Sequence, residues 1–112
     1  MNPKKWGPKA WFFIHSVALS YPLNPTEEDK EHFKTFFSIL QYVLPCSICA
    51  NNFQEHLDVL PLTDDVLLSR KNLFLWTVKI HNKVNKLKGK SDLDPNYILE
   101  KYRKIYKTNI KL

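Results

Sequence analysis

The chain is poor in cysteine: Cys46 and Cys49 are the only two among its 112 residues. Two thiols cannot staple a secreted scaffold, so any job they have lies in chemistry or metal binding rather than bracing. Glycine is equally scarce, with Gly7 and Gly89 alone. A β-rich fold with many tight turns needs more. No run approaches the ~20 apolar residues of a membrane span. No secretory leader is visible, because the apolar segment after MNPKKWGPKAWFF is short and broken by Tyr21-Pro22. Convincing strand alternation, internal repeats, low-complexity segments and linkers are also missing.

What is present is aromatic bulk: 3 Trp, 5 Tyr and 7 Phe in a chain that is 44% hydrophobic. That supplies one core and argues against disorder, so residues 1–112 are expected to form a single domain. The net charge is +6, and the basic residues concentrate from Lys79 onward. Such a third suits an anionic partner: nucleic acid, acidic lipid or a cofactor's phosphates. It also suits plain solvated helix faces.

Helical periodicity dominates. Gly7-Pro8 predicts a first helix from Pro8 to Ser20, closed by Tyr21-Pro22. Thr26 followed by Glu27, Glu28 and Asp29 predicts a second, with Phe33, Phe36, Phe37, Leu40, Val43 and Leu44 on one stripe. Pro45 interrupts it, and a third runs from about Cys46 to Leu60-Pro61. After a turn at Thr63-Asp64-Asp65, a fourth spans Ser69 to Lys88 and stops at Gly89. Asp94-Pro95 opens a fifth, reaching Lys107, with Ile98, Tyr102, Ile105 and Tyr106 on one face. The expected fold class is all-α, a four-helix bundle with a short fifth helix packed on it.

The lone CxxC sits just after Pro45, at a predicted helix start. Unpaired N–H groups and the helix dipole there favour a thiolate, which suits a redox pair. Three readings compete. A structural zinc site wants four ligands, and His15, His32, His56 and His81 show no paired spacing. A thioredoxin-like motif wants a preceding strand. A helical redox protein needs an electron acceptor that protein side chains do not supply, and therefore a cofactor.

Candidate pocket residues follow from spacing. Trp11 and His15 share a helix face at i and i+4, as do His81 and Asn85. Trp76, His81, Asn82 and Asn85 gather large rings and amides in the fourth helix, although asparagine is a poor interior helix former. Tyr102 and Tyr106 repeat the ring pattern. Rings to stack, amides and imidazoles for heteroatoms, and lysines such as Lys90 for phosphate describe a planar, phosphate-bearing ligand. Flavin adenine dinucleotide (FAD) fits that description. Each residue also has a plainer reading: Trp11 and Trp76 as core, His15 as a satisfied core histidine, Asn82 and Asn85 as solvent-facing.

The order WGPKAWFFIH, PCSIC and W-x4-HNKVNKLKGK, running from Trp6 to Lys90, resembles the Erv/ALR flavin-linked sulfhydryl oxidases. The resemblance implies a helical bundle with the CxxC against a flavin. It implies that Cys46 exchanges with a substrate dithiol and that Cys49 is the flavin-proximal cysteine. Gly7, Trp11 and His15 match one FAD-binding element, and Phe53 a position after the redox pair. His81, Asn82, Val84, Asn85 and Lys90 match another, and Lys101 with Tyr102 a late basic–aromatic pair at the adenine end. The implied activity passes electrons from the CxxC to FAD and on to O2, giving H2O2 and disulfides in protein substrates.

The resemblance also implies a homodimer, for which Phe12, Phe13, Phe36 and Phe37 could supply the face, although core burial explains those rings equally well. Cellular members carry extra cysteines that this chain lacks, so a substrate or a separate shuttle protein is expected to meet Cys46 directly. The compact start resembles virus-encoded members, with work in host cytoplasm or virion; the mitochondrial intermembrane space and secretory pathway stay open. Two rival readings survive. One is a non-enzymatic helical interaction module whose CxxC binds metal or is incidental. The other is a nucleic-acid binder using the basic third, but Tyr102 and Tyr106 at helical spacing are more simply core, so no nucleic-acid partner is expected.

Overall fold

In the computed structural model, which describes residues 1–112, five α-helices and one 3-10 turn account for the regular structure. They are α1 (Pro3–Leu19), α2 (Glu27–Val43), α3 (Ser47–Val59), α4 (Arg70–Leu87) and α5 (Pro95–Tyr106), with the 3-10 turn at Val66–Leu68. The all-α expectation holds.

Local chemistry sets the boundaries. Thr26 and Asp29 form a reciprocal capping box at α2: Thr26 Oγ1 accepts from the Asp29 N–H at 3.1 Å, and Asp29 Oδ2 from the Thr26 N–H at 2.9 Å. Ser69 caps α4 and Asp94 caps α5, where Pro95 takes the first helical position. α4 ends in a Schellman turn. Gly89 takes the left-handed conformation (φ +69°), and the N–H of Lys90 reaches back to the Asn85 carbonyl at 2.8 Å.

α1 starts five residues earlier than Pro8 suggested. Asn2 Oδ1 accepts from the Lys4 N–H at 2.9 Å and Pro3 occupies the first position, so Pro8 lies inside the helix. The start signal was Asn2-Pro3, and the helix tolerates the second proline.

α1 lies along α4, and α2 along α3; the 3-10 turn sits against α4 and α2. The core runs between these layers through Phe37, Phe53, Leu73, Phe74, Trp76 and Ile80. Tyr21, fully buried after α1, donates its hydroxyl to the Leu67 carbonyl at 2.6 Å and ties the 3-10 turn to the first helix. α5 buries Ile98, Leu99 and Tyr102.

Packing separates the aromatic residues into core and surface. Phe37 is 0% exposed and edge-on to Trp76, so it is core and not part of an association face. Tyr106 and Ile105 are exposed near the end of α5, yet Tyr106 continues the Ile98–Tyr102 stripe and its ring packs on Phe12 and Tyr102. Tyr106 still anchors, through a 2.6 Å hydroxyl pair with Ser16 of α1.

Candidate active site

Cys46 is the N-cap of α3, where its Sγ accepts from the Cys49 N–H at 3.2 Å. The two cysteines are joined as a disulfide, with Cα atoms 5.2 Å apart. Both are half-buried and both line one cavity of about 400 Å³, together with Trp6, Gly7, Trp11, Leu44, Phe53 and Val84. Its lining is mostly apolar. No cluster of three or more His, Cys, Asp or Glu side chains gathers in the structure, so nothing joins the cysteines as a ligand set.

A second cavity, of about 770 Å³, adjoins the first. Pro3, Gly7, Trp11 and Lys88 line both, so the two form one cleft along the α1–α4 seam. The second cavity is the more polar of the two. Its lining includes His15, His81, Asn85, Lys4, Lys90 and Lys101, with Tyr102 and Phe12 contributed by α5 and α1.

Helix periodicity explains the assembly. Gly7, Trp11 and His15 fall at intervals of four on α1, and Thr77, His81, Asn85 and Lys88 follow a matching stripe on α4. Across the seam the Trp11 and His81 rings stack with centroids 4.0 Å apart and planes 3° apart. His15 Nε2 meets His81 Nδ1 at 2.8 Å, and His15 Nδ1 meets Thr77 Oγ1 at 3.0 Å. Burial first, and His81 second, pull His15 down to about 3. Burial, then Lys88 and Lys90, pull His81 down to about 4. Both rings are therefore neutral at pH 7. Burial, then Tyr106, pushes Tyr102 up to about 12, so its hydroxyl keeps its proton.

Two features fit a large occupant. Gly7 is buried, yet a Cβ built there would meet no atom within 4 Å. Protein packing does not demand glycine at this position; the open space belongs to the cleft. Asn85 is only 6% exposed, lines the second cavity, and no protein group bonds its amide. The amide keeps contact with the open cavity, so a ligand group there is its natural partner.

Most of the sequence-derived site residues meet in this cleft. Two do not. Trp76 is 3% exposed, donates Nε1–H to the Leu60 carbonyl at 2.8 Å and packs on Phe37, so it is core. Asn82 uses its amide on the backbone of Leu93, accepting from N–H at 2.7 Å and donating to the carbonyl at 3.2 Å. It is a clamp on the loop after α4, not a wall of either cavity. Sequence reasoning missed Lys88, which lines both cavities, and Thr77, whose role depends on a histidine 62 residues away.

A helical seam with a disulfide at its apolar end and lysines at the other defines a class of cofactor-dependent redox proteins. The Erv1 / Alr family pattern matches residues 8–104, and the chain belongs to that family. It is 55% identical over 93 residues to a probable FAD-linked sulfhydryl oxidase of Acanthamoeba polyphaga mimivirus, covering 83% of this chain and 65% of that protein. It is 37% identical over 92 residues to the mitochondrial FAD-linked sulfhydryl oxidase of Saccharomyces cerevisiae, covering 81% of this chain and 47% of that protein. The fold matches the crystal structure of the FAD-binding domain of Erv1 from Saccharomyces cerevisiae with a TM-score of 0.83 and 33% identity, over 93% of this chain and 96% of that one.

Proposed function

We propose that residues 1–112 form an FAD-linked sulfhydryl oxidase domain that makes disulfide bonds in protein substrates. The observation that carries this reading is the Cys46–Cys49 disulfide in the wall of an apolar cavity continuous with a lysine-rich one. The apolar cavity suits a planar ring system against the disulfide, held by Trp11, Phe53 and Val84. Lys88, Lys90 and Lys101 suit the phosphates, and His81, Asn85 and Tyr102 the adenosine half.

A substrate thiolate attacks Cys46 Sγ, forming a mixed disulfide and releasing Cys49 as a thiolate. The substrate's second thiol attacks its own sulfur in that mixed disulfide, leaving the substrate oxidised and Cys46 as a thiolate. The N-cap geometry supports this division. Cys46 is the sulfur facing the helix N-terminus, where N–H groups stabilise it as a leaving group. FAD, when bound, takes up the electron pair from the reduced cysteines and supplies it to O2, which leaves as H2O2.

The partners in this reading are a dithiol protein or a separate thiol shuttle, with O2 as acceptor. A homodimer is part of it, through α1 and α2, where Phe13 is 58% exposed and stands edge-on to Phe36. No helix is long and apolar enough to cross a membrane. The mimivirus relative supports a virus-encoded origin, and action in host cytoplasm or virion is part of the same proposal.

The test is the purified protein's absorption spectrum with an oxygen electrode. Flavin absorbance and dithiol-dependent oxygen uptake are expected; a colourless protein that consumes no oxygen even with added FAD would sink the reading.

A further inference from the structure

We propose that Thr77 is a positioning residue: through His15 it fixes His81 in the tautomer protonated on Nδ1, leaving Nε2 as a bare acceptor for a hydroxyl or amine of the dinucleotide's adenosine half. The ligand half of this inference rests on the FAD reading above; the tautomer half stands without it.

The argument follows one proton at a time. Thr77 Oγ1 lies 2.6 Å from the Phe74 carbonyl, which can only accept, so the single hydroxyl proton points there. Toward His15 Nδ1, at 3.0 Å, the hydroxyl offers only a lone pair, and His15 must donate from Nδ1. A neutral imidazole has one N–H, so His15 Nε2 is an acceptor. Its partner at 2.8 Å, His81 Nδ1, must then be the donor. That uses the only proton of a neutral His81, whose Nε2 carries a lone pair and bonds no protein group. The 4.0 Å stack on Trp11 fixes the ring plane, and His81 lines the polar cavity, so the lone pair has a set direction. This is the reverse of the tautomer that free histidine favours.

Side-chain 15N–1H spectra of the ligand-free protein near neutral pH read the tautomers directly. His15 and His81 are expected to be protonated at Nδ1 in the wild type and in Thr77→Ser. In Thr77→Val, His15 loses its Nδ1 acceptor and moves its proton to Nε2, which forces the proton of His81 to Nε2 as well. FAD affinity, followed by flavin fluorescence, is then expected to fall about tenfold in Thr77→Val and to recover in Thr77→Ser. A wild-type His81 protonated at Nε2 overturns the inference, and it does so even if Thr77→Val does not fold. An unchanged His81 tautomer in Thr77→Val overturns the role of Thr77. FAD analogues lacking the adenosine ribose hydroxyls, or carrying hypoxanthine for adenine, identify the donor by which one binds more weakly. If both bind as FAD does, the ligand half falls. Failure of the wild type to bind FAD at all counts against the oxidase reading and leaves the tautomer result intact.

Discussion

The two ends of the cleft are built on opposite principles. At the α3 end, chemistry resides in two sulfurs in a mostly apolar wall, held by one helix cap. At the α4–α5 end there is no reactive group, only neutral imidazoles, an unpartnered amide and lysines. Burial keeps the imidazoles uncharged, so positive charge there comes from lysines alone. The contrast predicts that turnover and cofactor affinity can be separated by mutation, because the disulfide sits on α3 while the imidazoles sit on α1 and α4.

The sharpest way to break that separation is Cys49→Ala. Dithiol-dependent oxygen uptake should drop to background while flavin absorbance persists; retained turnover, measured with the same electrode, would show that Cys49 is not needed. His81→Ala addresses the other end. Equilibrium titration should show FAD binding weakened tenfold to a hundredfold, about 1.4–2.8 kcal/mol, with the Cys46–Cys49 pair still reducible by dithiol. Unchanged affinity removes His81 from the cofactor wall.

Acidification probes the neutral imidazoles. Between 6.5, the ordinary histidine value, and the lowered native values of about 3 and 4, the unfolded chain binds protons that the folded one refuses. Stability should therefore fall as pH drops below 6.5, with His15 alone contributing about 1.4 kcal/mol by about pH 5.5. Thermal melts of the apoprotein check this, and a flat profile from pH 7 to 5 contradicts it. Gly7→Ala sharpens the comparison further. Replacing a helical glycine by alanine should stabilise the apoprotein by about 0.5–1 kcal/mol while weakening FAD retention, since the added methyl enters the cleft. Loss of apoprotein stability would mean that packing, not a ligand, explains the glycine. The smallest effect on FAD affinity is expected from Trp76→Phe, none by the same titration, although the lost bond to Leu60 and the smaller ring in the core should cost about 1–3 kcal/mol of stability.

Much of this was legible in the sequence where the signal is local. Thr26, Ser69, Asp94 and Gly89 mark helix ends by chemistry confined to one turn, and the structure uses each as expected. Pro8 misled because Asn2-Pro3 already provides a complete start. Trp11 and Trp76 illustrate the limit. Both are tryptophans on amphipathic helices, yet one walls the cleft and the other fills the core, and only packing between helices separates them. Asn82 and Asn85, three residues apart, likewise part company because one amide finds a loop backbone and the other does not. The His15–His81 pair joins residues 66 apart and has no local signature.

The clamp made by Asn82 has a practical corollary. The segment bearing Lys90 is pinned at its start by the Asn85 carbonyl and at its finish by the Asn82 side chain, both on α4. With both moorings on one rigid rod, the exposed pair Ser91 and Asp92 spans the short gap between Lys90 and Leu93, which both line the second cavity. Lengthening this short span is therefore expected to loosen the cavity wall rather than to be silent.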